Sequence, residues 1–269
     1  NYMIAQIYYR QRNYYKAIQF AQTALKLDDS NKYYYLLLAQ LYNQKQDFNE
    51  EAKTYQALIK KVPNTQEHYY DLASVYFQQQ KYEEAIKALD KFEKYVGINE
   101  EIIKQKQQLY LKLNKINDAI AEGVKLMEAY PDEPRYVVNQ IELLITNEKF
   151  DEAEKLCEQL LKKDAHNPYA HLMLSEIYRA KGDLKRSNEK LKQAFANREL
   201  EIDVKLGILI GKVRQLPNKE IQEQCLELGD ILVKSHPTDS KAYAMNADIL
   251  VIAGKSKEAL DQYIKSIRI

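Results

Sequence analysis

The feature of this sequence that most limits its fold is a repeat of 34 residues. One series at this spacing is built from Tyr with a single Leu, and its members are Tyr8, Tyr42, Tyr76, Tyr110, Leu144 and Tyr178. A second series consists of small residues with one exception, at Ala17, Glu51, Ala85, Ala119, Ala153 and Ser187. A biased composition does not place residues at a fixed interval, so the spacing indicates that one structural unit has been duplicated along the chain.

The repeated unit is predicted to consist of helices. The chain contains only 7 Gly and 6 Pro, too few for the turns of a β-rich fold. In the third repeat the apolar residues follow the i, i+3, i+4, i+7 spacing of one helical face, at Tyr69, Leu72, Ala73 and Tyr76. Helices of about 12 to 15 residues are marginally stable alone, so each must bury its apolar face against a neighbour.

A period of 34 residues and the types of residue in it resemble the tetratricopeptide repeat family. The residues of the third repeat that carry the resemblance are Tyr69, Leu72, Ala73, Tyr76, Tyr82, Ala85, Leu89, Phe92 and Gly97. The resemblance implies an all-α fold, a right-handed superhelical α-solenoid of antiparallel helix pairs. In that family the first helix of each pair, helix A, lines a concave groove, and the second, helix B, covers the outside.

The register predicts a single solenoid over residues 1–269 with about eight repeats. The predicted boundaries are 1–31 (partial), 32–65, 66–99, 100–133, 134–167, 168–201, 202–239 (irregular) and 240–269 (partial). The seventh repeat is four residues too long, and we expect the segment from Gln215 to Glu220, around Pro217, to lengthen its inter-helix turn.

Several residues depart from the pattern. Glu51 replaces the usual Ala, so either its helix is slightly rotated or the Glu side chain bends out to solvent. In the fourth repeat, Lys106 and Gln107 replace the usual Leu and small residue. The seventh repeat contains three glycines, Gly207, Gly211 and Gly229. They indicate either a flexible joint or, as the favoured reading for Gly207 and Gly211, a close approach of two backbones.

The charge balance argues against nucleic acid as a partner. The formal net charge is +1, which provides no net attraction for a phosphate backbone. No apolar stretch is long enough to span a membrane, and no signal peptide is visible. Because the chain begins with Asn1 and partway into a helix, we expect upstream sequence to be missing. The location is therefore open between the cytoplasm and, after removal of a signal, the periplasm or cell envelope. The composition fits an AT-rich bacterial genome.

The sequence contains no arrangement of residues typical of catalysis. Cys157 and Cys225 are predicted to be reduced core residues, and the four histidines lack metal-ligand spacing. His68 and His236 are expected at helix ends on the surface, and His171 in packing. The tripeptide from Gly254 to Ser256 lacks the first Gly of a phosphate-binding loop. We therefore predict a protein that is not an enzyme and has no metal or cofactor.

The family resemblance implies binding residues on helices A. The predicted binding residues are aromatic or uncharged polar, and they are Tyr2, Tyr9, Tyr33, Gln40, Asn43, Tyr70, Ser74 and Phe77. Aromatic side chains provide stiff contact area, and amides can hydrogen-bond the backbone of an extended peptide. A second, more charged zone is predicted at Arg135, Glu142, Tyr169, Glu176, Arg179, Asp203 and Arg214.

These residues predict a protein-protein interaction scaffold that binds a partner protein or an extended peptide in the groove. A small-molecule ligand is not expected. Two alternatives stay open at this stage: a sensory or regulatory module of a larger protein, and a cell-envelope lipoprotein that tethers a complex.

Overall fold

The computed structural model describes all residues from 1 to 269 and contains sixteen α-helices and no strand. Helices A carry odd numbers and helices B even numbers. Their bounds are α1 Tyr2–Arg10, α2 Tyr14–Leu27, α3 Lys32–Gln44, α4 Phe48–Lys61, α5 His68–Gln78, α6 Tyr82–Val96, α7 Glu100–Lys112, α8 Ile116–Ala129, α9 Pro134–Thr146, α10 Phe150–Lys163, α11 Pro168–Ala180, α12 Leu184–Ala196, α13 Ile202–Val213, α14 Lys219–Ser235, α15 Ser240–Ile252 and α16 Ser256–Arg268.

The helices form two compact units, Asn1–Tyr136 and Val137–Ile269. In the first unit, helices that follow one another from α1 to α8 pack together. In the second unit, α10 to α12 and α13 to α16 pack in the same sequential way, and α12 also contacts α14. Within each unit the helix pairs therefore stack as an α-solenoid, which confirms the predicted fold class.

The series of small residues marks the closest contacts between paired helices. All six members are buried, and Ala17, Ala85, Ala119 and Ala153 are fully so. After the longer seventh repeat the series continues with Cys225 and Ala259, which are equally buried. The duplicated small residue thus lets helix B approach helix A in every repeat.

The residue before each helix B closes the turn between the paired helices. Its N–H donates to the carbonyl of the residue five positions earlier, at distances of 2.8 to 2.9 Å, as from Asp47 to Tyr42 and from Asp183 to Tyr178. The preceding residue adopts a positive φ, at Arg12, Gln46, Gln80, Asn114, Glu148, Gly182 and Gly254. This is the backbone geometry of a Schellman motif. Only the seventh repeat lacks it, because Arg214 to Asn218 form a longer connection there. A longer turn was predicted, but from Gln215 to Glu220, and Lys219 and Glu220 already belong to α14.

Glu51 lies inside the protein, so both explanations offered for it are wrong. It is 4% exposed, and both of its carboxylate oxygens accept from Nδ2 of Asn43 at 3.1 and 3.2 Å. The neighbouring Ala52 is also buried, as in the equivalent pair Ala85 and Ile86, so α4 keeps the usual orientation. Burial raises the pKa of Glu51, and the amide of Asn43 only partly opposes this effect.

Lys106 is buried in the first unit within a cluster of carboxylates. Its Nζ lies 2.6 Å from Asp90, 2.7 Å from Glu93 and 2.9 Å from Glu122. Burial alone would lower the pKa of Lys106, but the hydrogen bonds to the three carboxylates outweigh it and the pKa is raised. The charge that replaces the usual Leu therefore ties α7 to both α6 and α8.

Lys205 is buried in the second unit without a carboxylate. Its Nζ donates to the carbonyl of Asn197 at 2.7 Å and to Oγ of Ser235 at 3.1 Å, and it lies 2.8 Å from Nε2 of His236. Burial lowers the pKa of Lys205 to about 8. Burial and the charge of Lys205 also lower the pKa of His236. His68 and His236 lie at helix ends as predicted, but both are half-buried instead of on the surface.

The favoured explanation for Gly207 and Gly211 is wrong. A Cβ atom placed on either residue would meet no other atom within 4 Å, so no backbone approaches them closely. Gly229 is the one that allows a close approach, since its Cβ would clash with the side chain of Asn246. The close contact is therefore between α14 and α15, at Gly229 and Asn246. No neighbouring residue requires a glycine at either position of α13.

Candidate functional site

Three of the predicted binding residues lie in one groove between two helices A. Its volume is about 310 Å³, and Leu89 of α6 forms its floor. We call it the α5/α7 groove, lined by Tyr70, Ala73, Ser74, Phe77, Leu89, Glu101, Gln105, Gln108 and Leu109. The i, i+4, i+7 spacing of Tyr70, Ser74 and Phe77 places them on a single face of α5.

The polar wall of the α5/α7 groove comes from α7. Gln105 Nε2 donates to the phenol oxygen of Tyr70 at 2.6 Å and to Glu101 at 2.8 Å. The Tyr70 ring also lies 5.4 Å from that of Phe92, which holds it against α6. The groove therefore combines a fixed aromatic ring with amide groups that could pair with an extended backbone.

Phe77 is the exposed apolar residue at the end of the groove. It is 45% exposed, although large apolar side chains are usually buried. Its ring lies 5.9 Å from that of Tyr82, and Nζ of Lys112 is 5.8 Å from the centre of each ring. An aromatic or aliphatic side chain of a partner could cover Phe77 without displacing any packed residue.

The remaining predicted residues lie on α1 and α3. Gln40 Nε2 donates to the phenol oxygen of Tyr9 at 2.9 Å, which links the two helices A as Gln105 and Tyr70 do. The ring of Tyr2 lies 5.0 Å from that of Tyr34. Tyr33 is 57% exposed, with only the ammonium of Lys32 over its ring. These side chains do not enter the α5/α7 groove.

Asn43 is already engaged within its own repeat. Its amide donates to Glu51 of α4, and the side chain is half-buried. A partner would compete with a buried carboxylate for this amide. The structure thus separates Asn43 from the exposed residues of the predicted set.

The second, charged zone is spread over several places. In the first unit Arg135 pairs with Glu100 and lies over the ring of Tyr136. In the second unit, Glu142, Tyr169 and Glu176 line a depression of about 330 Å³ between α9 and α11. Asp203 pairs with Lys241 at 2.8 Å, and Arg214 follows the end of α13 in an exposed position. Arg179 faces a further groove between α11 and α13, described below.

The two cysteines and His171 lie inside the protein. Burial raises the pKa of the Cys157 thiol to about 12, and both cysteines are free and buried. Burial lowers the pKa of His171, whose Nε2 faces the Ala165 carbonyl at 3.0 Å. No group of three His, Cys, Asp or Glu side chains is arranged to hold a metal ion. None of the helices combines the length and apolar character needed to cross a bilayer.

Sequence reasoning missed the contribution of α7 to the groove. Gln105 and Gln108 line it, but the family positions used for prediction did not select Gln105. A signal was present, since Gln105 follows Tyr70 by 35 residues and so lies beside it on the next helix A. Lys205 gave no such signal, because its acceptors come from a loop and from α14.

Comparison with family models finds the tetratricopeptide repeat in both units. One model matches residues 2–64 and 52–95, and another matches residues 144–198. Together they cover more than half of the chain. No curated protein sequence matches it.

Several solved structures resemble this fold at low sequence identity. The structure of Naa15/Naa10 bound to HypK-THB matches with a TM-score of 0.51 and 14% identity, over 93% of this chain and 38% of that one. The C-terminal part of a TPR repeat-containing protein from Cytophaga hutchinsonii matches with a TM-score of 0.47 and 14% identity, over 91% and 99%. YrrB, described as a TPR protein with an unusual peptide-binding site, matches with a TM-score of 0.42 and 17% identity, over 65% and 90%.

Proposed function

We propose, from the premise that this chain belongs to the tetratricopeptide repeat family, that it binds an extended segment of a partner protein along its helices A. The fold indicates a protein-interaction scaffold, and members of the family generally bind proteins or peptides and are generally not enzymes. The α5/α7 groove is the main contact in this proposal.

The observation that carries the proposal is the exposed ring of Phe77 in a groove that also contains Tyr70 and Ser74. Binding energy in protein interfaces is concentrated in a few anchors that become fully desolvated. An apolar side chain of the partner would cover Phe77. The amide oxygen of Gln105, whose Nε2 already donates to Tyr70 and Glu101, and the amide of Gln108 would hydrogen-bond the partner's backbone. An extended peptide needs such donors and acceptors because it has no internal hydrogen bonds.

The test requires a ligand selected without bias. A peptide library displayed on phage is selected against the whole chain, and the affinity of a recovered peptide is measured by fluorescence anisotropy. Phe77→Ala is expected to weaken binding by roughly 10- to 30-fold, as for the loss of an anchor residue. Tyr95→Ala is the matched control, because Tyr95 is a similarly exposed aromatic residue on helix B, 55% exposed on α6.

Equal affinities for the wild type and Phe77→Ala would contradict the proposed groove. A second measurement replaces Phe77 or Tyr95 by a photo-crosslinking amino acid in the full chain. The proposal requires the selected peptide to be captured at position 77 and not at position 95.

A further inference from the structure

The second unit contains a groove that is equivalent by repeat position to the α5/α7 groove. It lies between α11 and α13, has a volume of about 270 Å³, and is floored by Leu191 of α12. We call it the α11/α13 groove, lined by Leu172, Ser175, Glu176, Arg179, Ser187, Leu191, Gly207, Ile208, Gly211, Lys212 and Gln215. A shift of three repeats, 102 residues, converts Phe77 into Arg179 and Gln105 into Gly207. The same architecture therefore carries different chemistry.

Gly207 and Gly211 open one wall of this groove. Both lie inside α13, one turn apart, and neither has a positive φ. Glycine within a helix lowers stability relative to alanine, and a Cβ added at either position would have no neighbouring atom within 4 Å. Nothing within the chain requires these glycines, and they leave the backbone of α13 accessible from the groove.

Two cations face the groove without a carboxylate partner. Lys212 occupies the place of the repeated Tyr, and its Nζ donates only to Oε1 of Gln224, at 2.9 Å. Arg179 forms no ion pair, whereas Lys181, which directly follows α11, pairs with both Asp151 and Glu154. Burial lowers the pKa of Lys212, and the positive charge of Arg179 adds to the effect. An anion between the two cations would offset both the burial of the Lys212 ammonium and its repulsion by Arg179.

Glu176 is the one carboxylate that lines the groove. It is exposed and forms no ion pair with Arg179 or Lys212. The groove therefore holds two cations and one anion, an excess of positive charge in a chain whose net charge is +1. A ligand that complements it carries negative charge and is narrow enough to lie against a helix backbone.

We propose that the α11/α13 groove binds the carboxylate of an Asp or Glu side chain in an extended partner segment, with the carboxylate between Arg179 and Lys212 and the segment's backbone over Gly207 and Gly211. This inference rests on the proposed function, because it assumes that a partner segment lies along helices A. It adds the chemistry of the segment bound within the second unit: an acidic stretch, recognised by charge-assisted hydrogen bonds.

The experiment uses the whole ¹⁵N-labelled chain and a blocked peptide, acetyl-Gly-Glu-Glu-Glu-Gly-amide, with the corresponding Gln peptide as its control. The amide signals of Gly207 and Gly211 report on the groove, and those of Gly97 and Gly254, which do not line it, serve as references. The proposal requires saturable shifts at Gly207 and Gly211 with the Glu peptide and none with the Gln peptide. Equal shifts with both peptides, or shifts that inorganic phosphate reproduces at the same concentration, would overturn it.

Variants separate the contributions. Arg179→Gln and Lys212→Gln are each expected to lower the affinity for the Glu peptide by at least about fivefold, whereas Glu176→Gln should raise it. Arg186→Gln is the matched control, because Arg186 is already paired with Asp183 at the start of α12. Unchanged affinity in both Arg179→Gln and Lys212→Gln would rule out the site.

The glycines provide a test that loss of folding cannot imitate. The double variant Gly207→Ala, Gly211→Ala should have a higher melting temperature than the wild type. It should also bind the Glu peptide more weakly, because the added methyl groups occupy the place of the peptide backbone. A raised melting temperature with unchanged affinity would contradict the placement of the backbone. Phe77→Ala should not change the affinity for the Glu peptide. A wrong proposal for the α5/α7 groove can therefore be distinguished from a wrong proposal for the α11/α13 groove.

Discussion

The two units each bury a lysine on a helix A, and they do so in opposite ways. Lys106 in the first unit is surrounded by three carboxylates, whereas Lys205 in the second has only a carbonyl, a hydroxyl and an imidazole. Both side chains are fully buried. The stacked helices therefore accommodate a buried ammonium in two ways: carboxylates neutralise its charge, or polar groups solvate it. Removing the cation is expected to cost stability only where it leaves carboxylates behind.

The largest expected difference is between removal of the two charges. Lys106→Met leaves the buried Glu122 and the half-buried Glu93 with only Lys125 as a counter-ion. We therefore expect it to destabilise the first unit by up to about 3–5 kcal/mol. Lys205→Met removes a charge that has no counter-ion, so it should change stability by less than about 1 kcal/mol or increase it. Hydrogen exchange of peptides from α6 to α8 and from α13 to α14 measures each unit separately. Equal losses of stability from both substitutions would contradict the proposed difference between the two lysines.

Alkaline pH should change the stability of the two units in different ways. The folded pKa of Lys205 is about 8, below the ordinary 10.5, so the unfolded state binds more protons between these values. The second unit should therefore gain on the order of 1–3 kcal/mol as the pH rises from 8 to 10.5. The pKa of Lys106 is raised, so its contribution is complete below 10.5 and is lost only above it.

Urea unfolding at about pH 8 and about pH 10, monitored by exchange in each unit, measures this effect. The variant Lys205→Met is the control, since it lacks this titrating group and should show a smaller gain, with the lowered pKa of Lys212 contributing the remainder. The idea fails if wild type and Lys205→Met respond to pH identically.

An added side chain should have opposite effects at two positions. Ala85 is fully buried where α6 meets α5, so Ala85→Phe is expected to cost about 1–3 kcal/mol through overpacking. Gly211→Ala places a methyl group in open space within a helix and should gain about 0.5–1 kcal/mol. Melting temperatures of the two variants are the measurement. An unchanged value for Ala85→Phe would count against the register of the repeat.

The smallest expected effect concerns the turns. Gln80 has a positive φ of 59°, whereas the equivalent place in the sixth repeat holds Gly182. Gln80→Gly removes the strain of a side chain in this conformation and should gain up to about 1 kcal/mol, and Gly182→Gln should lose a similar amount. Thermal unfolding of both variants checks the pair, and changes of the same sign in both would refute the explanation.

The fold was predictable because it depends on residues repeated at a fixed interval. Ala85 and its equivalents are small for the same reason in every repeat, so the spacing alone identified the contact between paired helices. Helix bounds followed from the same register. The four extra residues of the seventh repeat were visible in the sequence, and the structure divides the added length between the connection around Pro217 and the longer helix α14.

The exceptions were not predictable, since their partners come from other helices. Lys106 was recognised only as a departure, because the three carboxylates that stabilise it lie on α6 and α8. The glycines were misjudged for a related reason: a Gly has the same sequence signature whether a neighbour approaches, as at Gly229, or whether space is left empty, as at Gly207. For the binding residues, the structure brings Tyr70, Ser74 and Phe77 together, and their role stays a proposal.

The turns between paired helices have a consequence for how such a chain evolves. Seven of them share one backbone bond and one positive φ, although the residue in that conformation is Arg, Gln, Asn, Glu or Gly. Because the joint is defined by the main chain, a gene that gains or loses a block of 34 codons leaves every remaining joint intact. Side chains in those joints are then free to drift. The segment from Arg214 to Asn218 lacks this shared bond and positive φ, so the same exchange at the seventh repeat would not preserve its connection.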